Sequence, residues 1–492
     1  MAIEPKAFSL PQRIAHDGPH PLWDATQLLK WTRDLTQRGG RHPSEWPEQA
    51  GQRLASLSLA LHPHAQHFWM ACGPGHNGLD GMHAARRLKA LGKRVTVTCL
   101  GALPHGMEDL SSLLSADPPS DWDVAVDALF GIGLNRRIEE TEPAGQWMRA
   151  MHALDRPVVH MDLPSGLCPR SGQWLGPDVP LSSSRKDTLA MLGMSVGLWT
   201  NQGRDRSGQI WLSACDAVQA PSPTAHLIGQ AAPLVRTHSS HKGTHGHVIV
   251  VGGNLGMQGA ALLAARSALT HGAGIVHWLA PHLANGDAPT DLRLAPIQIM
   301  HHWPSTWRGN EVVVAGCGAG SMTESFWHEV LTRSPQLVLD ADGLNALAQS
   351  PALSDRLRMR KRRHQPTVIT PHPLEAARLL GCDVPSIQAD RLQSAQSLSQ
   401  KWGCVTLLKG SGTVIATPEG ETWINPTGNA RLATAGSGDV LSGCLGALLA
   451  QGAPEVQAAK QAAFEMGRLA ESSATMQHAP LTADQQALAQ WL

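Results

Sequence analysis

The residues best placed to do chemistry form one short run, Gly436-Ser437-Gly438-Asp439. Apolar side chains at helical spacing follow it: Val440, Leu441, Cys444, Leu445, Leu448 and Leu449. Glycines just before a helix let backbone N–H groups converge on one point. The first turn adds its own unpaired N–H groups and the positive end of the helix dipole, so the mouth suits an anion. Asp439 at that mouth can take a proton from a hydroxyl while the amides stabilise charge on a neighbouring phosphoryl group. The plain alternative is a helix start with glycine for the turn and Asp439 as a first-turn acid. Against it stands Lys409-Gly410-Ser411-Gly412-Thr413, a second glycine-rich turn between two apolar runs. There the Gly412 and Thr413 amides and the Lys409 ammonium can face a phosphate; a solvated surface lysine is the alternative.

Other polar groups gather in loops after apolar runs. Near the N-terminus these are Gly73-Pro74-Gly75-His76-Asn77-Gly78-Leu79-Asp80-Gly81, Asp127 to Arg137, and Met161-Asp162-Leu163-Pro164-Ser165-Gly166. Each brings glycines and a carboxylate. Asn77, Asp127 and Ser165 all offer oxygen, so they could share a hard cation. Asp162 could equally be a turn acid capping Ser165-Gly166. Further along come Gly316-Cys317-Gly318, Asp340-Ala341-Asp342 and Thr370-Pro371-His372-Pro373. The two aspartates could hold a cation or cap a helix. His372, bracketed by prolines, could be a ligand contact or a surface residue.

The elements that must position these loops are short apolar runs alternating with helical patterns. Strands are expected at 67–71, 95–100, 124–127, 158–161, 188–192 and 210–212, and again at 246–251, 274–279, 311–315, 337–340, 367–370, 405–408 and 413–417. Helices are expected at 23–37, 48–61, 82–91, 260–270, 322–331, 374–380 and 387–402. Such alternation marks parallel sheets covered on both faces, with ligands beyond the carboxyl ends of the strands. The pattern stops from Ala217 to Gly229, where three prolines predict a linker. Two α/β domains follow, 1–225 and 226–492.

Composition narrows the class. Forty basic residues balance forty acidic ones, which argues against nucleic acid or a charged membrane surface as main partner. Eight cysteines lie scattered without a CxxC pair, as expected of a reducing compartment. No apolar run reaches roughly 18 residues, and MAIEPKAFSL lacks a signal core. A soluble, cytoplasmic protein is expected.

The second half resembles the ADP/ATP-dependent NAD(P)H-hydrate dehydratases, a branch of the ribokinase-like fold. The resemblance rests on HKGTHGHVIVVGG, LVLDADGLNAL, VITPHPLEAARLL, LLKGSGTVI and NPTGNARLATAGSGDVLSG. The first half resembles the NAD(P)H-hydrate epimerases through GPGHNGLDG, VDALFGIGLNR and MDLPSGL. The fusion is similar to the bifunctional NAD(P)H-hydrate repair enzymes. The resemblance implies two three-layer α/β/α domains, Rossmann-like then ribokinase-like. It implies dehydration of (S)-NADHX or (S)-NADPHX with ADP or ATP and Mg2+. Nucleotide would lie on Lys409, Gly410, Ser411, Gly412, Thr413 and Gly438. Hydrate would lie near Ala260, Gly318, His372 and the base Asp439. In the epimerase half, Asn77, Asp127 and Ser165 match K+ ligands. His76, Asn77, Gly78, Leu79 and Asp80 match one substrate loop. Gly131, Ile132, Gly133, Leu134, Asn135, Arg136 and Arg137 match the other, with Asp162 as a further catalytic contact. A homo-oligomer is expected.

The chain departs from these families at four places. His76 stands for an asparagine and Leu79 for a glycine whose absence could crowd the substrate. Ser195 stands for a lysine, and Cys317 for a proline. A ribokinase-like kinase of a hydroxymethylpyrimidine, thiazole or pyridoxal alcohol is the alternative enzyme. A first domain that binds without catalysing is the other alternative.

Overall fold

The computed structural model describes residues 9–38, 45–181, 184–215, 219–231, 234, 236–280, 297–300, 303–307 and 309–472. The chain divides into two compact units, Met1–Ala15 with His20–His226, and His16–Pro19 with Leu227–Leu492. The short inclusion of 16–19 in the second unit has a visible tether: the Gln230 amide donates to the His16 carbonyl at 3.1 Å.

In the first unit, six parallel strands run in the order Gln209–Ser213, Lys186–Met191, Val158–Met161, Val124–Ala128, His67–Cys72 and Arg94–Cys99. Gln12–Arg13 pairs antiparallel on the outer edge of the first of these. His67–Cys72 is buried at every position, as a central strand covered on both faces must be. Ala25–Arg38 and Glu45–Leu61 are helices, as their amphipathic spacing predicts. One expected boundary moves by six residues. The helix read as starting at Met82 spans His76–Ala90, so Asn77 and Asp80 stand on its first two turns rather than in a loop. Gly78 and Gly81 hid this start, because glycine is a poor helix former.

In the second unit, seven parallel strands run in the order Ile297–Met300, Ile275–Leu279, His247–Val251, Glu311–Ala315, Gln336–Leu339, Thr367–Ile369 and Val405–Leu408. Val414–Ala416 and Thr422–Ile424 continue the sheet antiparallel. The Ser437–Ala450 helix is buried at every position from Val440 to Ala450. It lies in the core against the helix Gln258–Thr270. A Cβ on Gly443 would stand 2.1 Å from the Ala264 carbonyl oxygen, so the two helices can approach this closely only through glycine.

Two expectations are corrected. The presumed linker contains the strand Ala225–Leu227, paired antiparallel with Pro21–Trp23, while Ala217 and residue 218 lie outside the described residues. The run is too short for periodicity to reveal it. The helix expected over 387–402 is two helices, Val384–Ala389 and Arg391–Trp402. Asp390 ends the first and caps the second, its carboxylate accepting the Gln393 amide at 3.1 Å. Among the described residues no helix is long and apolar enough to cross a membrane.

Candidate functional site

In the second unit, the parallel strands place their carboxyl-end loops along one sheet edge, and the Ser437–Ala450 helix starts beside them. Gly436 takes φ 91 and ψ −13 as its N-cap, a left-handed conformation that glycine adopts without strain. Asp439 stands in that first turn. Burial, reinforced by the charge of Asp340, raises its carboxyl to about 6, while a hydrogen bond from the Cys317 thiol and the charge of Lys409 pull the other way. Lys409 does not extend along its turn. Its Nζ donates to Asp340 Oδ1 at 2.7 Å. A Cβ on Gly438 would stand 3.3 Å from that ammonium. The cation therefore borders the amide-lined helix mouth. Burial opposes its charge, but Asp340 and Glu375 outweigh burial and hold it above its ordinary value.

Asp340 is fully engaged. Oδ1 also accepts the Ala341 amide at 2.8 Å, and Oδ2 accepts the Ser442 hydroxyl at 2.7 Å. The capping reading holds for it, with Lys409 as its charge partner. Asp342 Oδ2 accepts the Gly320 amide at 2.8 Å. These carboxylates form no protein cage for Mg2+, a metal that usually keeps waters and binds through substrate phosphates. His372 caps the helix Pro373–Leu380. Its Nδ1 accepts the Leu374 and Glu375 amides at 3.1 and 3.3 Å, and Nε2 lies 3.2 Å from Glu375 Oε1. Both ring nitrogens thus serve their own helix start. Burial, then Lys409, lowers its pKa, so the ring is neutral at pH 7. Gly318 and Ala260 are adjacent, since a Cβ on Gly318 would stand 3.0 Å from the Ala260 Cβ.

In the first unit, a cavity of about 280 Å³ is lined by His76, Asn77, Gly131 to Arg136 and Asp162, together with Leu29 and Thr32. Gly78, Leu79, Asp80 and Arg137 do not line it. Leu79 packs against the hydrophobic core, so it does not crowd the cavity. Asp162 has φ 65, and burial raises its carboxyl to about 7. Burial, then the charge of Asp162, pushes Asp80 well above the usual carboxylate range. Such a pair cannot both ionise freely near neutrality.

Asp127 and Ser165 meet directly. The Ser165 hydroxyl donates to Asp127 Oδ1 at 2.6 Å and its amide to Oδ2 at 2.8 Å. Asn77 Nδ2 donates to the Met161 carbonyl at 2.9 Å, which leaves its Oδ1 as acceptor. The donor set is oxygen throughout and so fits a hard cation. Ser195 is buried with its hydroxyl unpartnered.

Comparison with known proteins adds to this geometry. The family model described as NAD(P)H-hydrate dehydratase matches residues 248–491, and that of the YjeF-related protein N-terminus matches 34–184. The bifunctional NAD(P)H-hydrate repair enzyme Nnr of Escherichia coli is 32% identical over 463 residues, 88% of this chain and 86% of that protein. The chain belongs to the bifunctional NAD(P)H-hydrate repair enzyme family. The Nnr of Moorella thermoacetica is 33% identical over 87% of each chain. A Bacillus subtilis ADP/ATP-dependent NAD(P)H-hydrate dehydratase crystallised with ATP/Mg2+ is 29% identical, covering 52% of this chain and 92% of its own, with a TM-score of 0.44.

Within this member of the family, reading the sequence missed several residues that build the site. His160 lies on a buried strand and places Nδ1 2.9 Å from Asp127 Oδ2; a histidine amid the apolar run VVHM was the only signal. Glu375 closes the His372 capping box, its Oε2 accepting the His372 amide at 2.8 Å. Burial raises its carboxyl to about 7. The three-residue spacing from His372 could have revealed it. Arg391 gave no local signal. Its guanidinium, drawn down to about 10 by burial, donates to the carbonyls of Leu408 and Lys409 at 3.2 Å each. It thereby holds the backbone of the Lys409–Thr413 turn from behind. Arg391→Met is expected to cost about 1–3 kcal/mol by stranding buried carbonyls. It should also raise the nucleotide KM more than it lowers kcat. Denaturant unfolding and steady-state kinetics check both; an unchanged nucleotide KM removes Arg391 from this role.

Proposed function

We propose that the second unit dehydrates (S)-NADHX and (S)-NADPHX at the expense of ADP or ATP, and that the first unit interconverts the R and S hydrates. The observation that carries the dehydratase reading is Asp439: a carboxyl with a pKa near 6, at an amide-lined helix mouth bordered by the Lys409–Asp340 pair. The names of the relatives supply the substrate class.

Asp439 takes the proton of the ring hydroxyl. That oxygen attacks the terminal phosphoryl group, and the phosphoanhydride bond breaks with its electrons leaving on the shortened nucleotide. The amides of the Gly436–Asp439 turn and the Lys409 ammonium stabilise the charge on the transferring group. The ring nitrogen lone pair then expels the phosphate as the carbon–oxygen bond breaks, and loss of a proton from the neighbouring ring carbon restores the dihydronicotinamide. Mg2+, when bound with the nucleotide, neutralises phosphate charge.

In the first unit, Asn77, Asp127 and Ser165 would hold K+ to position the hydrate. Asp162, at the cavity wall with Asp80 behind it, would exchange protons with the hydrated ring. The lack of any disulfide among the described residues suits a cytoplasmic setting.

The test is the full chain incubated with NADHX and ADP, then ATP, with each unit inactivated in turn. Nucleotide-dependent formation of NADH supports the reading. Phosphorylation of a pyrimidine, thiazole or pyridoxal alcohol with NADHX untouched ends it. Because only the carboxylate form of Asp439 accepts a proton, kcat/KM for dehydration should rise with pH through an acid limb near 6. Cys317→Ala removes a hydrogen bond that favours the carboxylate, so this limb should move to higher pH. A limb that stays where it was excludes Cys317 from setting it.

A further inference from the structure

Away from both candidate sites, three helices of the second unit bring together a side-chain set that the proposed chemistry does not use. His271 follows the helix Gln258–Thr270. Cys444 lies in the middle of the helix Ser437–Ala450, and Glu465 in the helix Glu455–Ser472. One ligand atom from each lies within 4.8 Å of the other two. We propose that His271, Cys444 and Glu465 bind a divalent transition metal ion of the zinc class.

Four observations support the assignment. First, the donors are an imidazole nitrogen, a cysteine sulfur and a carboxylate oxygen. Sulfur and imidazole select zinc-like ions over Mg2+ or Ca2+, which prefer oxygen. Second, the histidine is held in one tautomer. Its Nδ1 lies 2.8 Å from the Ser267 carbonyl oxygen. A carbonyl only accepts, so Nδ1 carries the proton and Nε2 keeps its lone pair. Metal-binding histidines are commonly held this way by a backbone carbonyl. Third, the carboxylate is also held: Gln461 Nε2 donates to Glu465 Oε1 at 2.7 Å. Fourth, Cys444 is unpaired and 0% exposed, so it is protected from oxidation, while the half-buried His271 and Glu465 leave a route in.

Zinc bond lengths of about 2.0–2.3 Å put tetrahedral ligands roughly 3.3–3.8 Å apart. Binding would draw the three ligand atoms, now within 4.8 Å of one another, in to those separations. The fourth position would go to water. On binding, a metal–sulfur bond forms and the thiol proton leaves to solvent. The ion would tie the helix that carries Asp439 to the two helices packed beside it.

Cobalt serves as the probe because thiolate-bound Co2+ absorbs in the near ultraviolet. The full chain is stripped with chelator, kept reduced and titrated with CoCl2. One equivalent should produce a thiolate-to-metal charge-transfer band that ZnCl2 displaces stoichiometrically. Cys444→Ala should abolish the band. Gln461→Leu, which leaves all three ligands in place, should weaken Co2+ binding roughly 10–100-fold. ZnCl2 should raise the unfolding temperature of the wild type and not of Cys444→Ala. No band in the wild type, or a band that survives Cys444→Ala, overturns the assignment. Should Cys444→Ala not fold, unchanged affinity in Gln461→Leu overturns it instead.

Discussion

Asp439→Asn is expected to lower dehydratase turnover by roughly 10²–10⁴-fold, the usual worth of a general base, with nucleotide binding retained. Asparagine keeps the shape and one oxygen acceptor but cannot take the hydroxyl proton. The helix mouth is made of backbone amides and of Lys409 held by Asp340, and none of these is altered. Stability separates this from general damage. A carboxyl whose folded pKa, about 6, exceeds the ordinary 3.8 stabilises the fold only while protonated. That contribution is complete below the ordinary value and is lost as pH rises through 6. At pH 7 the wild type thus carries the cost of a partly buried carboxylate near Asp340. The variant should unfold at the same temperature or higher. Turnover within a few-fold of wild type would remove Asp439 from the mechanism, and a large fall in unfolding temperature would make the activity loss uninformative about base catalysis.

Asp162→Asn should abolish R-to-S interconversion to a similar extent, roughly 10²–10⁴-fold, and leave dehydration of the S hydrate unchanged in the same chain. The substitution suits the backbone, since asparagine is among the residues that tolerate positive φ and Asp162 has φ 65. Its side-chain oxygen can still accept the Met191 amide, now at 3.1 Å. Burial holds the Asp162 carboxyl at about 7, so here too stability is lost as pH rises through that value, and the variant should be less sensitive to pH between 5 and 8. Polarimetric or chromatographic measurement of the two hydrates decides it. Normal interconversion would favour a first unit in which Asp162 only shapes the cavity wall.

Much of the site was legible because its parts are local. The run Gly436-Ser437-Gly438-Asp439 leading an apolar helical stretch announces an N-terminus whatever surrounds it. Likewise Asp340-Ala341 reads as a helix cap, and the structure has it as one. Alternating strands and helices place loops at carboxyl strand ends, which is where the Asp127, Asp162 and Lys409 segments lie. The misses have a common cause. The pairing of Lys409 with Asp340, 69 residues away, leaves no local trace in the sequence. Arg391 reads as an ordinary helical arginine until the turn it supports folds over it. Leu79 looked obstructive in the sequence, yet it turns into the core because His76–Ala90 is helical from its first residue.

The residue order alone determined the succession of elements, the family and which turns can present amides to an anion, because propensity, periodicity and motif spacing act over a few neighbouring residues. Only the tertiary structure decided which carboxyls are lifted toward neutrality, which cation each faces, and that a histidine, a cysteine and a glutamate from three helices converge. Those depend on burial and on distances through space, and Coulomb interactions and desolvation take no account of separation along the chain.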